Sequence, residues 1–193
     1  MKAIKVLLLT AWVLALQISA VHAQTFTVKS HTLTVKGTSS LHDWQSTVEK
    51  IEAKGAFVLS NNSLIDIRDV AVKIPVKAIK SPKGKLMDSK TWDAFNYEKY
   101  PTITFLLTGR KINAAKNTLD ASGTLTMAGV TKPVELNLTY KVLPGGELQI
   151  TGTKKLIMSD FKMEPPTAMM GTIKVGDEVE VGFELLLNAN NSL

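Results

Sequence analysis

Residues 118–142 read TLDASGTLTMAGVTKPVELNLTYKV. Beyond the turn pair Ala128-Gly129, Val134, Leu136, Leu138 and Tyr140 alternate with Glu135, Asn137, Thr139 and Lys141. A strict period of two puts the apolar set on one face of a strand and the polar set on the other. A sheet with one dry face and one wet face pairs antiparallel. Ile103, Phe105 and Leu107 repeat the pattern between Thr102, Thr104 and Thr108, and Val179, Val181, Phe183, Leu185 and Leu187 repeat it beside Glu178, Glu180 and Glu184. Val70, Val72, Ile74 and Val76 form another such face, where Pro75 predicts an edge or a bulge.

Working outward, strands are predicted near 26–36, 48–59, 64–79, 102–111, 118–127, 133–142, 147–159 and 174–187. The first loses its phase around Ser30-His31-Thr32, which predicts a bulge. Turn-forming clusters separate the strands at Asn61-Asn62-Ser63, 113–117, Pro144-Gly145-Gly146 and Gly176-Asp177. Residues 84–98 break the alternation: Met87, Thr91, Ala94 and Phe95 fall at helical spacing. Asn188 to Leu193 reads as a frayed tail. The fold class is therefore all-β, one domain with a short helical insertion. Apolar faces of this kind are buried either by closing into a barrel or by stacking as a sandwich. An eight-stranded barrel is of the size whose interior either fills with side chains or holds one small ligand.

The chain has 193 residues, of which 45% are hydrophobic and 21% charged, values of an ordinary globular domain. Residues 1–23 read as a cleaved secretory signal, with Lys2 and Lys5 ahead of an apolar run from Val6 to Ile18 and Val21-His22-Ala23 at the cleavage site. That leaves 24–193 as the mature domain, expected in the periplasm or outside the cell. Loss of Lys2 and Lys5 reduces the formal charge from +6 to +4. Nearly all of the positive charge is scattered lysine on the polar sides of strands, which predicts a solvated face, with weak attraction to an anionic membrane surface as the lesser reading. Nucleic acid is not an expected partner.

The absence of cysteine excludes disulfides and thiol nucleophiles. His42-Asp43-Trp44 is a local His–Asp pair, but no Gly-x-Ser-x-Gly turn accompanies it, and neighbours along a strand face opposite ways. A loop anchored by Trp44 is the better reading. Asp88 and Asp93 fall about 140° apart around a helix and form no carboxylate pair. No catalytic residue, metal site or cofactor is expected. Aromatic and thioether side chains do cluster, with Met87, Trp92, Phe95, Tyr97 and Tyr100 near the insertion and Met158, Phe161, Met163, Met169 and Met170 around Pro165-Pro166. Such side chains fill cores, and they also line adaptable apolar sites.

Three segments resemble a known family. Trp92-x-Ala94-Phe95-Asn96-Tyr97-x-x-Tyr100-Pro101-x-Ile103-x-Phe105, Gly123-x-Leu125-Thr126-Met127-x-Gly129-Val130-Thr131-Lys132-Pro133-Val134 and Ser159-Asp160-Phe161 resemble, in this order, the signatures of the YceI-like family. The resemblance covers nearly all of 26–187. It implies an eight-stranded antiparallel, lipocalin-like barrel around an apolar tunnel that holds a polyisoprenoid or another long-chain lipid. It also implies export and no catalytic residues. The segment Lys80-Ser81-Pro82-Lys83-Gly84-Lys85-Leu86-Met87 departs from the His-, Asp- and Arg-rich stretch of well-known members.

On that resemblance the strand faces line the tunnel, 84–98 and 160–171 form its mouth, and Met87, Trp92, Phe95, Phe105, Phe161 and Met163 are the expected ligand contacts. The expected cargo is an isoprenoid, an isoprenoid quinone or a fatty amide. An exported barrel with a filled interior, serving as a structural or interaction domain, is the alternative. A homodimer, domain-swapped or paired through a strand edge, is a further option.

Overall fold

The computed structural model describes residues 23–190. The proposed secretion signal, except for Ala23, lies outside these residues. The strands are β1 (Gln24–Ser39), β2 (Trp44–Val48), β3 (Glu52–Ser60), β4 (Ser63–Pro75), β5 (Ile79–Lys80), β6 (Thr102–Asn113), β7 (Thr118–Met127), β8 (Val130–Val142), β9 (Leu148–Ile157), β10 (Thr167–Ala168) and β11 (Ile173–Asn190), with one helix, α1 (Lys85–Ala94). All pairings are antiparallel. The order β11-β9-β8-β7-β6-β4-β3-β1 closes through β1 and β11, which makes an eight-stranded barrel. Closure removes the free edges that an open sheet would expose.

Two of the eight staves are interrupted. The expected strand at 48–59 is instead β2 and β3, separated at 49–51, and the expected strand at 64–79 is β4 and β5, separated by a 3-10 turn at Val76–Ala78. The breaks face each other, and the Glu49 N–H donates to the Ala78 carbonyl at 2.9 Å across them. Pro75 ends β4, where its missing N–H disrupts no ladder, and Val76 turns its own N–H to Pro101 at 2.9 Å. The phase loss in β1 is a bulge between Val28 and Ser30. Of the tail expected to fray, residues 188–190 are paired, with Asn188 opposite Thr27 and Asn190 opposite Thr25, which extends the seam that closes the barrel, and residues 191–193 lie outside the described residues. Tight turns with positive φ at Asn61-Asn62 and Ala128-Gly129 join β3 to β4 and β7 to β8, as the right-handed twist of a hairpin requires.

The interior is packed at one end. Phe26, Phe57, Leu64, Leu119, Leu138, Tyr140, Leu148 and Leu187 form a buried floor, where the Phe26 and Phe57 rings stack at 5.9 Å. At the other end Met127, Met158, Phe161, Met163 and Val179 form a second buried cluster. Between the two ends the barrel is hollow.

The seam between β8 and β9 is incomplete. β8 and β9 pair only through Leu138–Val142 and Leu148–Gly152. Toward the methionine-lined end the two strands diverge, so that 130–137 and 153–157 form no ladder with each other. The wedge is bridged at its wide end, where Lys132 Nζ sits 3.1 Å from Asp160, and where Val130 and Leu156 pack against the cluster containing Phe161.

Candidate functional site

The alternation of the strands aims one set of side chains inward, and these line a cavity of about 800 Å³. Its wall is built by Leu33 of β1, Val72 of β4, Ile103 and Phe105 of β6, Leu125 of β7, Leu136 of β8, Ile150 and Leu156 of β9, and Val181 of β11. Such a space is large enough for one extended apolar ligand. The cavity opens where the loop 40–43, the segment 81–94 and the hairpin 166–175 meet, since exposed Leu41, Lys83 and Thr167 all line it there.

The mouth is held by local hydrogen bonds. Ser39 Oγ accepts the His42 N–H at 3.2 Å and donates to the His42 carbonyl at 2.6 Å, which closes the loop on itself. Trp44 Nε1–H donates to the Thr38 carbonyl at 3.0 Å, so Trp44 anchors this loop as expected. His42 Nδ1 lies 2.7 Å from the backbone oxygen of Asp43. His42 and Asp43 sit in a loop and not on a strand, and the imidazole still does not meet the carboxylate. Across the mouth, buried Asp88 accepts the Ser81 N–H at 2.7 Å and faces Lys80 Nζ at 3.5 Å, which fixes α1 against the end of β5.

Met87, Thr91, Ala94 and Phe95, the set at helical spacing, all line the cavity from α1 and its C-terminal residue. Phe105 lines it from the wall, and Met163 from the loop after β9. Two of the expected contacts do not reach the lining. Trp92 follows Thr91 by a 100° turn and so faces away. Its Nε1–H donates to the Ile79 carbonyl at 3.2 Å, its ring meets Tyr97 edge-on, and Lys80 Nζ lies 4.5 Å from its centre. Phe161 is buried in the methionine cluster at the wide end of the β8–β9 wedge, so its ring completes the wall instead of touching the cavity.

The lining also holds residues that the motifs did not single out. Leu41 and Trp44 border the mouth, and Phe183 lies within the wall. Lys154 projects inward from β9, and among the described residues it is the only charged side chain that the eight staves contribute to the lining. The phase of Leu148, Ile150, Gly152, Lys154 and Leu156 carried that signal in the sequence. Among the described residues, no group of three or more His, Cys, Asp or Glu side chains could hold a metal ion, and no helix is long and apolar enough to cross a membrane.

Among the described residues, a single barrel with an apolar bore and one helix beside its mouth places the chain among small apolar-cavity β-barrels. The YceI-like domain family matches residues 13–187, and the chain belongs to that family. It is 37% identical over 93 residues to a UPF0312 protein of Pseudomonas putida strain GB-1, covering 46% of this chain and 48% of that one. It is 30% identical over 107 residues to a UPF0312 protein of Pseudomonas savastanoi, covering 53% and 52%. The match thus spans about half the length of these relatives. Among solved structures, BcnA of Burkholderia cenocepacia superimposes with a TM-score of 0.66 at 18% identity, over 82% of this chain and 96% of that one. A polyisoprenoid binding domain of Saccharophagus degradans superimposes with a TM-score of 0.65 at 14% identity, over 88% and 100%. At these identities the likeness is one of fold.

Proposed function

We propose that this protein binds one long-chain apolar lipid in the barrel, without catalysing a reaction on it, and carries or stores that lipid after export from the cytoplasm. The observation that carries this reading is the cavity of about 800 Å³, walled almost entirely by apolar side chains. The polyisoprenoid binding domain of Saccharophagus degradans, with the same fold, supports an isoprenoid as the cargo; an isoprenoid quinone or a fatty amide would occupy the same apolar space. A filled barrel acting only as a structural domain fits the molecule less well, because the space between the floor and the mouth is open.

The energetics favour exchange with a membrane over capture from water. At about 0.8 kcal/mol per CH₂, burying a chain of some 30 carbons from water would exceed the ceiling of about 20 kcal/mol for reversible binding. A bilayer interior is about as apolar as this wall, so transfer between the two is nearly neutral and runs in either direction. The mouth suits that exchange. Leu41, Leu86, Met169 and Met170 are all exposed on the segments that border it, and Lys83, Lys85 and Lys174 stand among them. The Ser40 N–H donates to the Lys174 carbonyl at 2.9 Å, which ties two of these segments together. Apolar tips flanked by lysine suit the surface of an anionic bilayer.

The test is purification of the full chain after export, solvent extraction and mass spectrometry. A lipid near one equivalent per protein is expected, with Phe105→Asp greatly reducing it. Repeated recovery of an empty barrel that also fails to take up added isoprenoid or fatty amide would overturn the reading.

A further inference from the structure

We propose that Lys154 anchors an anionic head group, so that the cavity selects amphiphiles ending in a carboxylate or a phosphate over their neutral counterparts. The inference rests on the lipid-binding reading above and specifies the chemistry of the ligand's polar end.

Adjacent lysines on β9 make the case by contrast. Lys155 faces outward, opposite Glu180, and its Nζ pairs with Glu178 at 2.7 Å. Lys154 faces inward, directly opposite Val181, with Gly152 and Leu156 as its neighbours on the same face. Among the described residues no carboxylate forms an ion pair with it. The lining as a whole holds three lysines, Lys83, Lys90 and Lys154, against one carboxylate, that of Asp43 at the mouth. Half-buried Lys154 thus brings a positive charge to an otherwise apolar stretch of wall, where an anion of the ligand can complete it. Local rules broken in this way concentrate at functional positions.

The position of Lys154 also admits a charged head. It lies two residues past Gly152, the last β9 residue paired to β8, and so at the start of the wedge. Half-buried Val134 and Leu136 line the cavity on the facing strand. Backbone groups along this diverging edge lack cross-strand partners, which leaves donors for the same anion or for water around it. The apolar tail then lies along the bore while the head stays partly solvated at the seam. An ammonium serves carboxylate and phosphate alike as a point charge.

The experiment uses the delipidated full-length mature protein and two matched pairs, hexadecanoate with hexadecanol and farnesyl phosphate with farnesol. Each is titrated calorimetrically below its aggregation concentration. Wild type is expected to bind each anion at least about tenfold more tightly than its alcohol, the order expected of one charge-assisted hydrogen bond. Lys154→Met should erase that preference and keep the affinity for the alcohols, Lys154→Arg should retain it, and Lys83→Gln/Lys90→Gln should leave it in place. The two pairs distinguish a carboxylate from a phosphate as the preferred head. Equal affinity for anion and alcohol in wild type overturns the inference while the lipid reading stands. So does a preference that survives Lys154→Met, or one lost only in the mouth variant. If Lys154→Met changes only aggregation, the lysine guards an open strand edge and the inference also fails. Binding of none of the four ligands removes the lipid reading and this inference together.

Discussion

Tyr140 carries its hydroxyl into the floor of the barrel, where among the described residues no partner meets it. A buried hydroxyl without a hydrogen bond forfeits its hydration for nothing in return. Tyr140→Phe is therefore expected to leave stability unchanged or to raise it by up to about 1 kcal/mol. Thermal unfolding of the two proteins measures this, and a clear fall in midpoint would show that the hydroxyl is bonded in solution. Gly123 makes the opposite case. The Phe105 ring lies over it so closely that an added Cβ would sit 2.3 Å from Cε2 and 2.6 Å from the Leu106 carbonyl. The ring can swing, but the neighbouring strand cannot retreat. Gly123→Ala is expected to cost about 1–3 kcal/mol and to push Phe105 into the bore, weakening lipid uptake. Urea unfolding together with lipid content after purification tests both effects, and full stability with full loading would contradict the packing described.

At the scale of elements, the barrel diverges at two seams and straps each with an ion pair. β4 and β6 pair only through Ala71–Pro75 and Thr102–Leu106. Nearer the floor Arg110 bridges them, with its Nε–H donating to Asp66 Oδ1 at 2.7 Å and an Nη2–H donating to Oδ2 at 3.0 Å. The Arg110 guanidinium holds the Asp66 carboxyl below its ordinary range. The folded state releases this proton more readily than the unfolded chain does, so the bridge stabilises fully above the ordinary carboxylate value of about 4 and fades as pH falls through the lower folded-state value. The pair is partly exposed, which limits its worth to about 1 kcal/mol or less. Asp66→Asn should lower stability by that amount at pH 7 and converge with wild type in strong acid. Urea midpoints at both pH values test this, and a constant gap between the proteins would place the stabilisation elsewhere.

For the whole molecule, the mouth governs exchange and the bore governs affinity. Replacing Leu41, Leu86, Met169 and Met170 together by serine removes the exposed apolar tips and leaves the cavity wall between floor and mouth intact. Transfer of a fluorescent isoprenoid to vesicles containing phosphatidylglycerol is expected to slow severalfold, while the bound fraction at equilibrium stays the same. An unchanged rate would show that loading does not require the rim to touch a membrane.

Much of the architecture was legible because the period of two is a local property. Val134, Leu136, Leu138 and Tyr140 declare their common face without reference to any other strand, and Met87, Thr91, Ala94 and Phe95 declare theirs by helical spacing. Trp92 and Phe161 stand outside the cavity lining, which their sequence does not encode, because an aromatic residue near a mouth can turn toward the bore or away from it. Tertiary partners decided the matter: the Ile79 carbonyl holds Trp92 outward, and the methionine cluster takes up Phe161. The paired breaks at 49–51 and Val76–Ala78 were hidden for the same reason, since the Glu49 N–H of one is satisfied by the Ala78 carbonyl of the other, far away in sequence. By itself, then, the order of residues determined an all-β chain with a short helix and strands greasy on one side. Only the tertiary structure decided that the closed tube stays hollow, that its wall parts between β8 and β9, and that Lys154 faces the bore with no carboxylate partner among the described residues. Those properties depend on how strands far apart in sequence tilt and meet, and no local periodicity encodes that.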